Sequence, residues 1–304
     1  AVRTPLVPSP LLSERAGGAV YLKLENVQRT GAFKIRGAAN RLQSLTCEER
    51  ERGVITVSSG NHGRAVAHVA HEMGIRAVVC MSTRVPSNKV EGIQRLGAEV
   101  VVHGESYDEA EHHALQLQQE QGLTMISPFD DPHIIAGQGT IGLELLEDLP
   151  AIDTVIVPLS GGGLLSGIGL VLKAADPSIR TVGVSMERAP VMYQSLRAGR
   201  PIEMAEEDTL ADALAGGIGL ENRYTFRMIQ AYVDETLLVT EDEIAGGMAF
   251  ALEEHHQVVE GGGAVALAAL VYEKVKDITE NAVVVISGGN VDLPLLLRIA
   301  QSRA

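Results

Sequence analysis

Residues 154–167 read TVIVPLSGGGLLSG, and this stretch decides the fold class. Its first five residues are apolar or β-branched without alternation, which is typical of a strand buried on both faces of a parallel sheet. Three glycines then lead into an apolar segment, so the stretch predicts a strand, a tight turn and a helix. Open parallel sheets bind ligands beyond the carboxyl ends of their strands. The turn that follows residue 158 is therefore a candidate binding site.

The same alternation of apolar runs and helical segments extends along the 304-residue chain. It predicts an α/β protein with open, mostly parallel twisted sheets flanked by helices. Three Ser/Thr-x-x-Glu capping boxes mark helix starts, at Thr46, Ser106 and Thr240. The predicted strands are Val20–Leu24, Val54–Val57, Ala77–Cys80, Val100–Val102, Thr154–Val157, Thr181–Val184, Leu237–Val239 and Val283–Ile286.

Composition narrows the class of ligand. A net charge of −14 repels phosphate backbones, and 3% aromatic residues leave few platforms for stacking bases, so nucleic acid is disfavoured as a partner. No apolar run reaches the roughly 20 residues that span a bilayer, so no membrane partner is predicted. The opening AVRTPLVPSP lacks a signal pattern, which predicts a cytoplasmic protein. A small-molecule substrate is what remains.

The glycine turn fits a single phosphate monoester best. Gly161, Gly162 and Gly163 remove every Cβ from the approach, so an anion can rest on bare amides at a helix start. The spacing matches neither the nucleoside-triphosphate loop G-x-x-x-x-G-K-[ST] nor a clean G-x-G-x-x-G. A flexible turn that binds nothing is the alternative.

A second turn, SSGNHG at residues 58–63, follows the predicted strand Val54–Val57. Its hydroxyls and backbone N–H groups, at the start of a helix, suit a carboxylate or a phosphate. The alternative is an ordinary capped helix with Ser59 or Asn61 as the cap residue.

Lys34 and Ser287 complete the set of candidate residues. Lys34 lies between Phe33 and Ile35, and apolar flanks lower the pKa of a lysine and make its amine a nucleophile towards aldehydes. Ser287 ends the predicted strand Val283–Ile286 and begins the turn SGGN. Pyridoxal 5'-phosphate needs an amine for its aldehyde, amides for its phosphate, and partners for its ring nitrogen and phenolic oxygen.

GAFKIRGA, SSGNHG, SGGGL and SGGN, in this order, resemble the threonine/serine dehydratase branch of fold-type II pyridoxal-phosphate enzymes, which are related in fold to the β subunit of tryptophan synthase. The resemblance covers nearly the whole chain. Within that branch, PFDDP, GVSMER and LAGGIGLENRYTF look like the dehydratase of ectoine and hydroxyectoine utilisation.

The resemblance implies a role for each motif. Lys34 is the lysine that bonds to the cofactor, with Phe33 against the ring, and Ser59 is the second catalytic residue. The cofactor-binding residues are Lys34, Phe33, Asn61 at the phenolic oxygen, Gly161, Gly162, Gly163 and Leu164 at the phosphate, Ser160 where glycine is usual, and Ser287 at the ring nitrogen. The substrate carboxylate is assigned to Ser58, Ser59, Gly60 and His62, and Glu260 is an outer residue near the ring.

The resemblance also implies two domains and a homodimer. Residues 1–50 and 133–304 form a large domain that binds the cofactor, and residues 51–132 form a small mobile domain that closes on the substrate. Serine racemases of this group carry a divalent-cation site, but here Ser185 and Pro190 occupy its positions, so no metal is predicted. The chain ends about fourteen residues after Asn290 without a regulatory domain, which favours a role in amino-acid catabolism.

The expected reaction is elimination of water from a 3-hydroxy amino acid such as L-threonine or L-serine, giving a 2-oxo acid and ammonia. The neutral hydroxyl of Ser287 cannot stabilise a protonated ring nitrogen as a carboxylate does, so charge formed at Cα is best discharged by expelling a β-substituent. A hydroxyectoine-derived compound or 3-hydroxyaspartate is the alternative substrate, and Ser59 leaves serine racemisation open as a side activity.

Three other classes remain as alternatives. β-Replacement, as in cysteine synthesis, usually has a Ser-x-Lys-Asp-Arg lysine motif, which differs from FKIRG at residues 33–37. A non-catalytic phosphate-binding module would be colourless, unlike a protein that carries pyridoxal on a lysine. For a nucleotide-dependent oxidoreductase the glycine spacing is wrong.

Overall fold

The computed structural model describes residues 1–85 and 87–303, and in these ranges helices and strands alternate from end to end. The strands are β1 Leu6–Pro8, β2 Ala19–Leu24, β3 Val54–Val57, β4 Ala77–Met81, β5 Glu99–Val102, β6 Thr124–Met125, β7 Thr154–Pro158, β8 Arg180–Met186, β9 Glu235–Val239 and β10 Asn281–Ile286. The helices are α1 Pro10–Ala16, α2 Lys34–Gln43, α3 Cys47–Arg52, α4 Asn61–Met73, α5 Ser87–Gln94, α6 Tyr107–Gln121, α7 Pro132–Asp148, α8 Gly163–Ala175, α9 Val191–Ala198, α10 Thr225–Tyr232, α11 Glu241–His255, α12 Gly261–Val271 and α13 Leu293–Arg303, with short 3₁₀ turns at Glu25–Val27 and Asp212–Leu214.

The chain divides into two compact units, each with its own sheet. The central unit is Lys34–Gly137 together with Ala1, and the terminal unit is Val2–Phe33 with the residues from Gln138 onward. The chain therefore passes from one unit to the other between Phe33 and Lys34 and again after Gly137.

The sheet of the central unit has four parallel strands in the order β5-β4-β3-β6. Successive residues of β3 face opposite layers: Val54 packs with α2 and α4, whereas Ile55 packs with α6. Both layers are apolar, which explains why this strand carries no polar–apolar alternation.

The terminal unit contains a six-stranded sheet in the order β1-β2-β10-β7-β8-β9, in which only the edge pair β1–β2 is antiparallel. Val284 of β10 faces the cluster that contains α11 and α12, while Val283 and Val285 face the cluster that contains α8. Every residue from Gly261 to Leu270 of α12 is buried, so this helix lies inside the unit.

The predicted α/β class with two mostly parallel sheets is confirmed, and all eight predicted strands are present. The structure adds β1 and β6, which are three and two residues long. The capping boxes at Thr46 and Thr240 form both of their hydrogen bonds. At Ser106 the hydroxyl accepts from Glu109 as expected, but the Glu109 carboxylate accepts from the backbone N–H of Glu105.

The two cysteines lie in different surroundings. Cys80 is fully buried in β4, and burial raises the pKa of its thiol to about 11. Cys47 begins α3 and is exposed, and neither cysteine forms a disulfide. Among the helices of the described ranges, none combines the length and the apolarity that crossing a membrane requires.

Candidate active site

Lys34 is the first residue of α2, and its side chain is half-buried. The next residue, Ile35, is completely buried in the core of the central unit and fixes the start of the helix. The Lys34 Nζ donates a hydrogen bond of 2.7 Å to the carbonyl oxygen of Pro128. The amine is thus held on a backbone carbonyl, and such a lysine is better placed for covalent chemistry than a solvated one.

The SSGNHG turn leads from β3 into α4 as predicted, and it leaves the start of that helix open. The N-cap residue is Gly60, and no side chain caps the helix, so the alternative of a helix capped by Ser59 or Asn61 is wrong. Gly63 is needed for packing, because a Cβ there would lie 2.2 Å from the carbonyl oxygen of Ser58. At Gly60 a Cβ would meet no atom within 4 Å. The start of α4 thus has no side-chain cap and has room beside Gly60, an arrangement that suits an anion.

The imidazole of His62 is 3% exposed. Its Nε2 lies 3.0 Å from the carbonyl oxygen of Ile126, and since a carbonyl only accepts, the ring proton is on Nε2. Burial, and then the positive charge of Lys34, lowers the pKa of His62 to about 3. A neutral ring of this tautomer offers only an acceptor at Nδ1. We therefore expect His62 to bind a carboxylate through its backbone N–H and not through its side chain.

The glycine turn links β7 to α8 and forms a second open helix start. Gly162 is the N-cap with φ of 86°, a left-handed conformation that favours glycine, and no side chain caps the helix. A Cβ at Gly162 would lie 3.1–3.2 Å from side-chain atoms of Met192, Thr225 and Ile229. Bare amides at the start of a 13-residue helix are the donor set that a phosphate monoester requires. The residues present fit the phosphate of pyridoxal 5'-phosphate.

The hydroxyl of Ser160 has a partner that the sequence does not reveal. Ser160 Oγ donates a 2.8 Å hydrogen bond to the carbonyl oxygen of Leu214, in the 3₁₀ turn Asp212–Leu214. The proton of this hydroxyl therefore points to the 3₁₀ turn. Ser160 was predicted as a cofactor-binding residue; in this structure its side chain ties the glycine turn to a segment more than fifty positions further along the chain.

Ser287 follows β10 and is 4% exposed. Its Oγ lies 3.5 Å from the carbonyl oxygen of Gly262, which is long for an O–H···O bond, so the hydroxyl can still serve a ring nitrogen. A side chain on Gly262 would in turn contact Leu214 at 3.3 Å. The turn that holds Ser160 and the turn that holds Ser287 are thus joined through Leu214 and Gly262.

Glu260 is buried against this turn and is the N-cap of α12. A Cβ on Gly288 would lie 2.2 Å from Glu260 Oε1, and a Cβ on Gly263 would lie 2.4 Å from the carbonyl oxygen of Gly288. The glycines of EGGG and SGGN are therefore required because the two motifs pack directly against each other.

The residues before Lys34 also pack on the SGGN turn. The Phe33 N–H donates to the carbonyl oxygen of Ser287 at 3.0 Å, and Ala32 forms a bridge with Gly288. Gly31 has φ of 77°, and a Cβ there would lie 2.4 Å from Oδ1 of Asn290. The structure thus brings the SGGGL turn, the SGGN turn and the residues before Lys34 together inside the terminal unit.

Ser185 and Pro190 occupy the positions that correspond to the divalent-cation site of serine racemases. Ser185 is buried at the end of β8, and its Oγ lies 3.5 Å from Sδ of Met186, while Glu187 is exposed. Within the part of the chain that the structure describes, no three His, Cys, Asp or Glu side chains are grouped as metal ligands.

Four residues that contact the predicted site residues or their partners were not predicted from the sequence: Ile126, Pro128, Leu214 and Thr56, whose Oγ1 donates to the Ile126 carbonyl at 2.9 Å. Three of these residues contribute a backbone carbonyl, which every residue possesses, so their residue type carries no signal. The PFDDP motif at residues 128–132 was noticed only as part of a resemblance.

The chain is similar to known proteins over nearly its whole length. The family described as "Pyridoxal-phosphate dependent enzyme" matches residues 1–289. The chain is 45% identical to an L-threonine ammonia-lyase of Thermotoga maritima over 98% of this chain and 73% of that protein. It superposes with a TM-score of 0.92 on threonine deaminase isoform 2 of Solanum lycopersicum, at 37% identity and with 99% and 88% of the two chains covered. Maize serine racemase gives a TM-score of 0.92 at 36% identity, covering 99% and 92%.

The fold is that of a fold-type II pyridoxal-phosphate enzyme. The chain belongs to the pyridoxal-phosphate-dependent enzyme family, and within it to the threonine dehydratase group. Its cofactor is pyridoxal 5'-phosphate, and it is a lyase.

Proposed function

We propose that this chain is an ammonia-lyase that removes water from a 3-hydroxy amino acid, L-threonine or L-serine, and yields a 2-oxo acid and ammonia. The observation that carries this proposal is the hydrogen bond of Lys34 Nζ to the Pro128 carbonyl at 2.7 Å, at the start of α2. It holds a nucleophilic amine ready in a chain whose relatives include an L-threonine ammonia-lyase and a threonine deaminase.

Each residue of the proposed site has a separate role in binding the cofactor or in moving a proton. Lys34 would hold the cofactor through its Nζ, and the same amine would take the Cα proton. Gly161, Gly162, Gly163 and Leu164 hold the phosphate on backbone amides. Phe33 would pack on the cofactor ring, and Asn61 would form a hydrogen bond with its phenolic oxygen. When bound, pyridoxal phosphate accepts the electron pair released at Cα.

The remaining polar residues favour elimination over other reactions and bind the substrate. Ser287 offers the ring nitrogen a neutral hydroxyl, which favours loss of a β-hydroxyl over reactions that need a fully protonated ring. Ser58, Ser59, Gly60 and the N–H of His62 receive the substrate carboxylate at the start of α4. Glu260 packs against Gly288 and so shapes the SGGN turn.

Substitution of Lys34 tests the proposal. The purified protein should be yellow, reduction with borohydride should leave the cofactor attached to the peptide that contains Lys34, and Lys34→Ala should lose both properties and more than about a thousandfold of the ammonia release. Lys276→Ala, at an exposed position, is the matched control and should retain all three. A colourless wild-type protein that binds phosphate compounds without turnover would instead indicate a binding module.

The finer substrate is proposed on the motifs alone. PFDDP, GVSMER and LAGGIGLENRYTF support a place in the branch of ectoine and hydroxyectoine utilisation, with a hydroxyectoine-derived compound or 3-hydroxyaspartate as the substrate. A screen of these compounds beside L-threonine and L-serine, scored by 2-oxo acid formation, tests this. Turnover of L-threonine that exceeds all the others would remove the ectoine assignment.

Racemisation of serine is a second candidate activity. It is favoured by Ser59, a hydroxyl at the open start of α4, and by the similarity to maize serine racemase. Chiral chromatography of L-serine incubated with the protein should show D-serine forming more slowly than pyruvate. Ser59→Ala should abolish D-serine formation and leave the visible band of the cofactor unchanged.

We further propose a cytoplasmic homodimer in which residues 51–132 move to close on the substrate. Light scattering after gel filtration should give about twice the chain mass of 32.3 kDa. A mass near that of one chain at micromolar concentration would contradict the dimer.

A further inference from the structure

The segment from Ile126 to Asp130, here called the β6–α7 segment, contacts both Lys34 and the SSGNHG turn. It leaves the edge of the central sheet directly after β6, where the N–H of Ile126 donates to the carbonyl oxygen of Ile55 at 2.9 Å. Ile126 is completely buried. The segment therefore starts from a fixed point in the core.

Two side chains converge on one backbone atom of this segment. The carbonyl oxygen of Ile126 accepts a hydrogen bond of 2.9 Å from Oγ1 of Thr56 and one of 3.0 Å from Nε2 of His62. Both donors are buried, with exposures of 0% and 3%. Both lone pairs of this carbonyl are thus occupied, which fixes the direction of the peptide that follows.

The next residues connect the Ile126 carbonyl to the carbonyl that accepts from Lys34. Ser127 Oγ accepts from the N–H of Asp130 at 3.1 Å and closes a turn around Pro128. The proline ring restricts φ at Pro128, and the turn limits the remaining rotation of the Pro128 carbonyl. That carbonyl is the acceptor for Lys34 Nζ at 2.7 Å.

We propose that Thr56 and His62 are positioning residues for Lys34: by anchoring the Ile126 carbonyl, they hold the Pro128 carbonyl where it receives the Lys34 ammonium whenever Lys34 is not bonded to the cofactor. This inference rests on the proposed role of Lys34. The amine released by the substrate takes the Cα proton in its neutral form, and the carbonyl then stabilises the resulting ammonium and keeps that proton at Nζ.

The environment of His62 agrees with a positioning role. Its ring proton is on Nε2, so the buried Nδ1, which has no hydrogen-bond partner among the described residues, cannot donate to a ligand. A charged imidazole beside Lys34 would repel the ammonium. The neutral ring donates a hydrogen bond to the Ile126 carbonyl without repelling the Lys34 ammonium.

Displacement of Lys34 by glycine, which has no β-substituent to lose, measures the effect in the holoenzyme. The change in the visible spectrum gives the glycine concentration at half-displacement. His62→Leu and Thr56→Val should each raise this concentration roughly three- to tenfold, because the freed ammonium has a less well-placed acceptor. His62→Gln and Thr56→Ser, which keep a donor for Ile126, should restore values close to wild type.

The outcomes separate the inference from the proposed function. The positioning role would be overturned if displacement were as impaired in His62→Gln and Thr56→Ser as in His62→Leu. It would also be overturned if displacement were unchanged in all four variants. The pH dependence of displacement should also shift in His62→Leu and Thr56→Val, which a purely structural role would not cause, and a thermal melt confirms that each variant is folded. Failure of the proposed function differs from all of these, since the wild type itself would then show no cofactor on Lys34 after reduction.

Discussion

At the scale of single residues, His62 links pH to stability. Its pKa is lowered from 6.5 in the unfolded chain to about 3 in the folded protein. Between these values the unfolded chain binds a proton that the folded protein does not. The free energy of unfolding therefore falls as the pH decreases from about 6.5, with a contribution from this group that approaches about 1.4 kcal/mol per pH unit.

His62→Gln removes this contribution, so its comparison with wild type isolates the effect. We expect the difference in unfolding free energy between the two proteins to change by about 1.4 kcal/mol for each pH unit between about pH 6 and pH 4, in favour of the variant at low pH. Urea titrations at several pH values measure it. Parallel stability curves for the two proteins would show that His62 is protonated in the folded state.

Gly63 and Gly60 give a second residue-scale prediction, since they lie three positions apart in one turn. Gly63→Ala places a Cβ 2.2 Å from the Ser58 carbonyl oxygen, and we expect a loss of about 2 kcal/mol or more in unfolding free energy. Gly60→Ala meets no atom within 4 Å and should change stability by less than about 0.5 kcal/mol. Chemical denaturation measures both, and equal losses would contradict the packing described for this turn.

At the scale of elements, the tie between Ser160 and Leu214 connects the glycine turn with the 3₁₀ turn beside α12. Ser160→Ala leaves the Leu214 carbonyl without this donor, and a neutral hydrogen bond contributes about 1 kcal/mol. We expect the dissociation constant of pyridoxal phosphate, measured by equilibrium dialysis, to rise about fivefold. Ser178→Ala, at an exposed serine, is the control. A stability loss with unchanged cofactor affinity would mean that the tie is structural only.

Most elements could be predicted from the sequence, and the exceptions have a physical reason. The eight predicted strands are β-branched runs with buried faces, such as β7. β1 and β6 were not predicted, because strands of three and two residues are too short to show a pattern of polar and apolar residues. β1 also contains Pro8, which is unfavourable inside a sheet. The candidate site shows the same division: Lys34 and Ser160 are visible as residue types, whereas the carbonyls of Pro128 and Leu214 are not.

At the scale of the whole molecule, the net charge of −14 opposes an anionic cofactor until it reaches the helix start that binds its phosphate. Salt screens such long-range repulsion more than it weakens contacts inside the site. Raising the ionic strength from about 0.02 M to about 0.2 M should therefore accelerate the binding of pyridoxal phosphate to the stripped protein about two- to fivefold. Stopped-flow fluorescence measures the rate, and a slower rate at high salt would indicate attraction by a local positive field.

The contrast between the two thiols makes the chain convenient for spectroscopy. Cys80 is enclosed in β4 with a pKa of about 11, so a maleimide at neutral pH has no thiolate to attack there, whereas Cys47 lies on the surface at the start of α3. A fluorophore added to the unmodified protein will accordingly attach at a single known point of the central unit. Energy transfer from that dye to the yellow coenzyme could then follow the approach of a substrate in real time, without any engineered cysteine.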